Sequence, residues 1–184
     1  MSAAVSRVVL VPGTLALLPE YAGREDPVAE LRAAALAAVA WLGSDVTLVG
    51  DEQGARVGAS LLEVVSRQDF VLPQPPTVST TLASARCSTS GAGGPAYLVV
   101  GNGSAKRTDK APGAFDERAE AFDAGLGASL RAGWPEFDAR LAEELWASVE
   151  GIARLGSLGD LGEAQVDYDD APYGVQYWVM GWGA

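Results

Sequence analysis

The run RVVLVPG, residues 7–13, decides the fold of this chain. Val8 to Val11 are apolar without a break, and Pro12 and Gly13 stop the run abruptly. A strand exposed on one face alternates apolar and polar residues, so a short uninterrupted run bounded by breakers reads as a strand covered on both faces. Strands of that kind belong to parallel sheets sandwiched between helices. The same signature recurs in DVTLVG (residues 45–50) and AYLVV (residues 96–100).

Helical patterns fill the gaps between these strands. Asp26 is placed to cap a helix with Pro27 in its first turn, Val28, Leu31, Ala35, Val39 and Leu42 on one face, and Gly43 just past its end. A shorter helix is predicted over residues 55–66 with Val57, Leu61 and Val65 inward. After the third strand a helix over 115–131 carries Phe115, Ala119, Phe122, Leu126 and Leu130 on one stripe. Another begins near Pro135 and turns Phe137, Leu141, Leu145 and Val149 inward. AQVDY (164–168) and VQYWVMGW (175–182) read as an antiparallel pair joined by DDAPYG. Alternation in the last strand puts Tyr177 on one face with Val175 and Val179, and Trp178 on the other with Met180 and Trp182.

The order strand, helix, strand, helix predicts an α/β fold of three layers. Its central sheet is expected to be mostly parallel, with helices on both faces and an antiparallel strand pair at the C-terminus. The length, 184 residues, suits one domain over 1–184. Residues 73–95, rich in Pro, Ser, Thr and Gly, read as a flexible surface segment that includes Cys87, with short strand-like stretches near 70–72 and 78–82.

Composition removes many chemistries. There is no histidine, so no Ser-His-Asp or Cys-His nucleophile system, no histidine base and no His-built zinc or iron site. Acidic residues number 24 against 13 basic, a formal charge of −11, and only Lys106, Arg107 and Lys110 cluster as cations. Nucleic acid and anionic membrane surfaces are therefore not expected partners. The longest apolar stretch, Ala33 to Leu42, falls short of the roughly 20 residues that span a bilayer. The opening residues lack a signal-peptide pattern, and the single cysteine cannot form an internal disulfide, which together suggest a cytoplasmic location.

Loops at the carboxyl ends of parallel strands are the usual place for a site. The loop GNGSAKR presents Gly101, Asn102, Gly103, Ser104 and Lys106 after the third strand, small residues and cations that suit contact with an anion. It lacks the spacing of a P-loop or a dinucleotide fingerprint, and a plain strand-end turn using positive φ is the alternative. Asp51 and Glu52 follow the second strand, Asp109 sits in the third loop, and Asp169 and Asp170 lie in the last turn. Were these carboxylates to converge, they could hold Mg²⁺ or Mn²⁺ through oxygen. Solvated acidic loops are the plainer account, and no resident metal or cofactor is assigned.

Three motifs in order, VVLVPGTLALLPEYAG, AYLVVGNGSAKRTDKAPGAFDERAEAFDAGL and VDYDDAPYGVQYWVMGW, resemble the class III extradiol dioxygenase-like proteins of actinobacteria, in the LigB superfamily. The resemblance spans nearly the whole chain outside the Pro/Ser-rich middle. It implies a covered, largely parallel α/β sheet with a site at the carboxyl strand ends. Active members of that superfamily cleave catechol-type rings with O₂, holding Fe(II) by two histidines and a glutamate and moving protons with a third histidine. Carried onto this chain, the first ligand position falls at Gly13, the second at Asp51 or Glu52, and the acid–base position on Lys106. The glutamate has no assigned counterpart; Asp169 and Asp170 stand in its region.

The resemblance therefore implies the family fold without the family's iron ligands. The expected function is a dioxygenase-like protein without Fe(II) ring cleavage that binds a small molecule or partner near the old cleft. Two alternatives stand beside it. One is a repurposed enzyme using Lys106 with Asp51, Glu52 or Asp109, since a desolvated lysine serves as base or Schiff-base nucleophile. The other is a structural protein whose aromatic last strand builds a homo-oligomer.

Overall fold

A computed structural model describes residues 7–21, 26–67 and 95–183. The readings at 70–72, 78–82 and Cys87 lie outside those residues. Among the described residues five strands form one sheet: β1 (Arg7–Val11), β2 (Val46–Val49), β3 (Ala96–Val100), β4 (Gln165–Asp170) and β5 (Tyr177–Trp182), in the order β2-β3-β1-β5-β4. β1 and β2 both run parallel to β3, whereas β5 runs antiparallel to β1 and to β4. The sheet is thus mixed rather than mostly parallel. The hairpin β4–β5 adds to the β1 edge through β5, which pairs antiparallel with both of its neighbours.

Helices cover both faces. α1 (Ala29–Leu42) and α2 (Glu52–Arg67) lie on one side, against Val9, Val11, Leu98, Val100, Tyr177 and Val179. On the other side α3 (Arg118–Arg131), α4 (Ala139–Glu144) and α5 (Glu150–Leu155) cover Val8, Leu10, Val99, Trp178, Met180 and Trp182. Strands β1 and β3 are buried on both faces, which is what their unbroken apolar runs require. The alternation expected in the last strand is also present, with Tyr177 and Trp178 in different layers. No helix among the described residues is long and apolar enough to cross a membrane.

Several local expectations need correction. α1 starts at Ala29, and Asp26 accepts a hydrogen bond from the Val28 amide at 3.1 Å while pairing with Arg32 at 2.6 Å. The Arg32 guanidinium also donates to the carbonyls of Leu17 and Ala16, so one side chain fastens α1 to the loop after β1. α2 begins at Glu52, three residues before its predicted start, because Asp51 caps it directly after β2. Phe115 does not join the α3 stripe; it precedes the helix and is 56% exposed. The single helix expected after Pro135 is two short ones, α4 and α5, broken at Trp146, whose φ is +58°. Asp169 and Asp170 belong to β4 itself rather than to the turn.

Candidate functional site

At the carboxyl ends of β1, β2 and β3, small residues let three loops meet. Gly13 ends the first loop's approach, and a Cβ there would lie 3.3 Å from Val100 and 3.6 Å from the Gly54 backbone. Its carbonyl accepts a hydrogen bond from Gln53 Nε2 at 2.7 Å. Asp51 has both oxygens engaged: Oδ1 accepts from the Gly54 amide at 2.6 Å, and Oδ2 from Ser148 Oγ at 2.7 Å. This is helix N-capping with a second partner in the segment before α5. Ser148 also accepts, through its carbonyl, from the Asn102 amide at 3.0 Å. Gly13, Asp51 and Asn102 therefore do come together, with Gln53 and Ser148. Glu52 is on the exposed side of the first turn of α2. Asp51→Ala removes the cap and leaves Ser148 without its acceptor, so a loss of about 1–2 kcal/mol is expected in urea unfolding.

The loop after β3 turns away from this cluster within a few residues. Gly101 donates to the Val11 carbonyl at 3.0 Å, and a Cβ on it would stand 2.7 Å from the Ser148 carbonyl oxygen. Neither Gly101 nor Gly103 has a positive φ. They are needed for close backbone approach, not for a left-handed turn. Asn102 Nδ2 donates to the Gly103 carbonyl at 3.1 Å. Lys106 is half-buried with its ammonium 5.2 Å from the centre of the Trp146 ring, a cation–π arrangement. It lies beside Gly113, whose Cβ would strike its side chain. Asp109 is exposed.

The polar centre that the structure does assemble lies between α3 and the β4–β5 hairpin. Asp123, only 3% exposed, accepts from the Ser104 amide at 2.7 Å through Oδ1 and from Ser104 Oγ at 2.6 Å through Oδ2. Burial is the largest influence on this carboxyl and raises its pKa, against the lowering effect of the two Ser104 hydrogen bonds and of Arg107. Gly103 makes the approach possible, since a Cβ there would sit 2.5 Å from Asp123 Oδ1. Arg107 donates to Gln176 Oε1, and Gln176 Nε2 donates to Asp169 Oδ1 at 2.8 Å. Asp169 accepts in turn from Arg131. The residues Asp123, Arg107, Gln176, Asp169 and Arg131 border a cavity of about 300 Å³ that is also lined by Glu120, Gly127 and Trp178.

The sequence candidates thus separate. Gly13, Asp51, Gly101 and Asn102 belong to the strand-end cluster, Gly103, Ser104 and Asp169 to the α3 centre, and Lys106 to the Trp146 contact. Asp170 cannot join Asp169, because neighbours on a strand face opposite ways: Asp169 is in register with Trp178 on the α3 side, Asp170 with Tyr177 on the α1 side. Asp170 accepts from the Ala171 amide at 2.7 Å. The sequence patterns pass over Asp123, Arg131 and Gln176. A signal for Asp123 is present: it stands four residues after Ala119 and three before Leu126, a carboxylate inside the inward stripe of α3.

Among the described residues no group of three or more His, Cys, Asp or Glu side chains is placed to hold a metal ion. Comparison with known proteins finds no matching family model, no similar curated protein and no similar solved structure.

Proposed function

We propose that this chain is a class III extradiol dioxygenase-like protein that does not perform Fe(II) ring cleavage and binds a small molecule at the carboxyl end of its sheet. The observation that carries the proposal is the donor set where β1, β2 and β3 end. Gly13 offers no side-chain ligand, and both oxygens of Asp51 accept hydrogen bonds from within the fold, one from a backbone amide and one from Ser148. An O₂-activating iron needs imidazole and carboxylate donors on one face with open positions opposite, and these residues do not fit that group. The α/β sheet covered on both faces and the meeting of loops at the carboxyl strand ends support the family reading.

The cluster is better suited to fixing loops than to chemistry. Asp51 ties the α2 N-terminus to the segment before α5, and Gln53 ties it to Gly13. Two further polar features follow along the loop after β3: the Lys106–Trp146 contact and the cavity under α3, which Arg107 borders. The reading is tested by reconstituting the purified protein with Fe(II), measuring bound iron and assaying catechol and protocatechuate. No stoichiometric iron and no ring-opened product are expected. Iron at one per chain with ring-opened product overturns the proposal.

A further inference from the structure

The cavity between α3 and the β4–β5 hairpin has a lining whose chemistry narrows what it could hold. Its ionic groups are two guanidiniums, Arg107 and Arg131, and three carboxylates, Glu120, Asp123 and Asp169. Arg107 makes a hydrogen bond to Gln176, but its Nη2 is 3.7 Å from Glu120 and its Nε 3.9 Å from Asp123. Both separations exceed hydrogen-bond length. The guanidinium therefore borders the cavity with two carboxylates close by, each just beyond hydrogen-bonding reach. Asp123 uses one lone pair on each oxygen for Ser104, and a carboxylate oxygen has two. The indole of Trp178 completes the wall.

From this lining we propose that the cavity binds a neutral polyhydroxylated small molecule, a monosaccharide or cyclic polyol. A hydroxyl accepts one hydrogen bond and donates another, so it bridges the 3.7 and 3.9 Å gaps between Arg107 and its two carboxylates without displacing either. An anion would face three carboxylates, and a cation would face two guanidiniums. The volume of about 300 Å³ is at the small end of ligand pockets, which fits one ring. Asp123 and Gln176 are held in place by hydrogen bonds to Ser104, Arg107 and Asp169, so the polar wall is preorganised.

This inference rests on the small-molecule part of the preceding proposal but not on its iron chemistry. Titration calorimetry of the full chain with myo-inositol and glucose is expected to give saturable binding with a dissociation constant at or below about 1 mM. Glucuronate and glucosamine, the charged counterparts of the sugar, are expected to bind about tenfold or more weakly. Two variants locate the site. Gly127→Leu fills space beside Arg131 and Trp178, where a Cβ alone stands 3.3 Å from Arg131 Nη1 and 3.4 Å from Trp178 Nε1, and should abolish binding. Glu120→Ala removes an acceptor from a residue whose side chain is largely in solvent, keeps the fold intact by circular dichroism, and should weaken binding about tenfold. Absence of saturation by both neutral probes overturns the inference. So does equal binding of the charged analogues, or binding unchanged in both variants. Retained iron and ring cleavage would sink the reading that Fe(II) chemistry is absent and leave this titration unaffected.

Discussion

Replacing Asp123 by alanine is expected to cost about 3 kcal/mol of unfolding free energy, measured in urea. The carboxylate accepts from both the amide and the hydroxyl of Ser104, which is fully buried, and its Oδ2 faces Arg107 Nε. Its loss strands two buried donors, and unsatisfied buried groups cost more than the bonds they once made. Asp123→Asn keeps the volume and one acceptor, and should cost about half as much. The pH dependence separates the charge from the packing. Because burial raises the folded-state pKa above the unfolded value of 3.8, the folded protein holds this proton more tightly than the unfolded chain. That contribution is fully present below pH 3.8 and is lost as pH rises through the folded value. The stability difference between wild type and Asp123→Asn should therefore widen as pH is lowered. Asp26 behaves in the opposite sense: Arg32 lowers its pKa, so its contribution is present above the unfolded value and lost as pH falls through the folded one.

Gly151→Ala should be at least as damaging, at about 3 kcal/mol or more. This glycine is in α5, where the helix crosses the end of β3, and a Cβ would run into the Val100 carbonyl oxygen, with the Val100 carbonyl carbon and Val49 oxygen each at 3.2 Å. All three obstacles are backbone atoms of sheet strands, so no side chain can swing aside. α5 would have to lift from the sheet. Ser148, three residues before Gly151, would be drawn away from Asp51 and Asn102, opening the strand-end cluster along with the core. Gly125→Ala is the control. That glycine is on the exposed side of α3 with nothing within 4 Å of a Cβ, and alanine there should stabilise by about 0.5–1 kcal/mol through helix propensity. A thermal melt of the two variants distinguishes local contact from a general effect of removing glycine.

What a sequence discloses and what it withholds follow from the range of the forces involved. Buried strands and helix stripes are local patterns, and RVVLVPG, AYLVV and the α1 stripe fold where those patterns place them. The position of β5 beside β1 is a long-range choice that no local pattern states. The broken helix after Pro135 turns on one residue, since the left-handed Trp146 is a conformation that tryptophan gives no hint of adopting. Grouping candidate residues by their loops puts Asp169 and Asp170 together. Once both are in a strand, the alternation of faces parts them. Asp123 shows the converse failure, because counting only apolar residues along α3 hides a carboxylate whose helical position is as inward as that of its neighbours.

The outermost strand of the hairpin carries a consequence for how copies of this chain meet. β4 forms one edge of the sheet, its residues are mostly exposed, and its pairing with β5 shifts register between Val166 and Tyr168, around Asp167. A sheet edge is a template on which a second molecule could lay a strand and begin an indefinite ribbon. Here such docking would crowd the aspartates at 167, 169 and 170 against the acidic side chains of the incoming strand, and the register shift spoils the flat row of donors and acceptors it would need. The acidity that argues against nucleic acid thus serves at this edge as a guard against fibre growth.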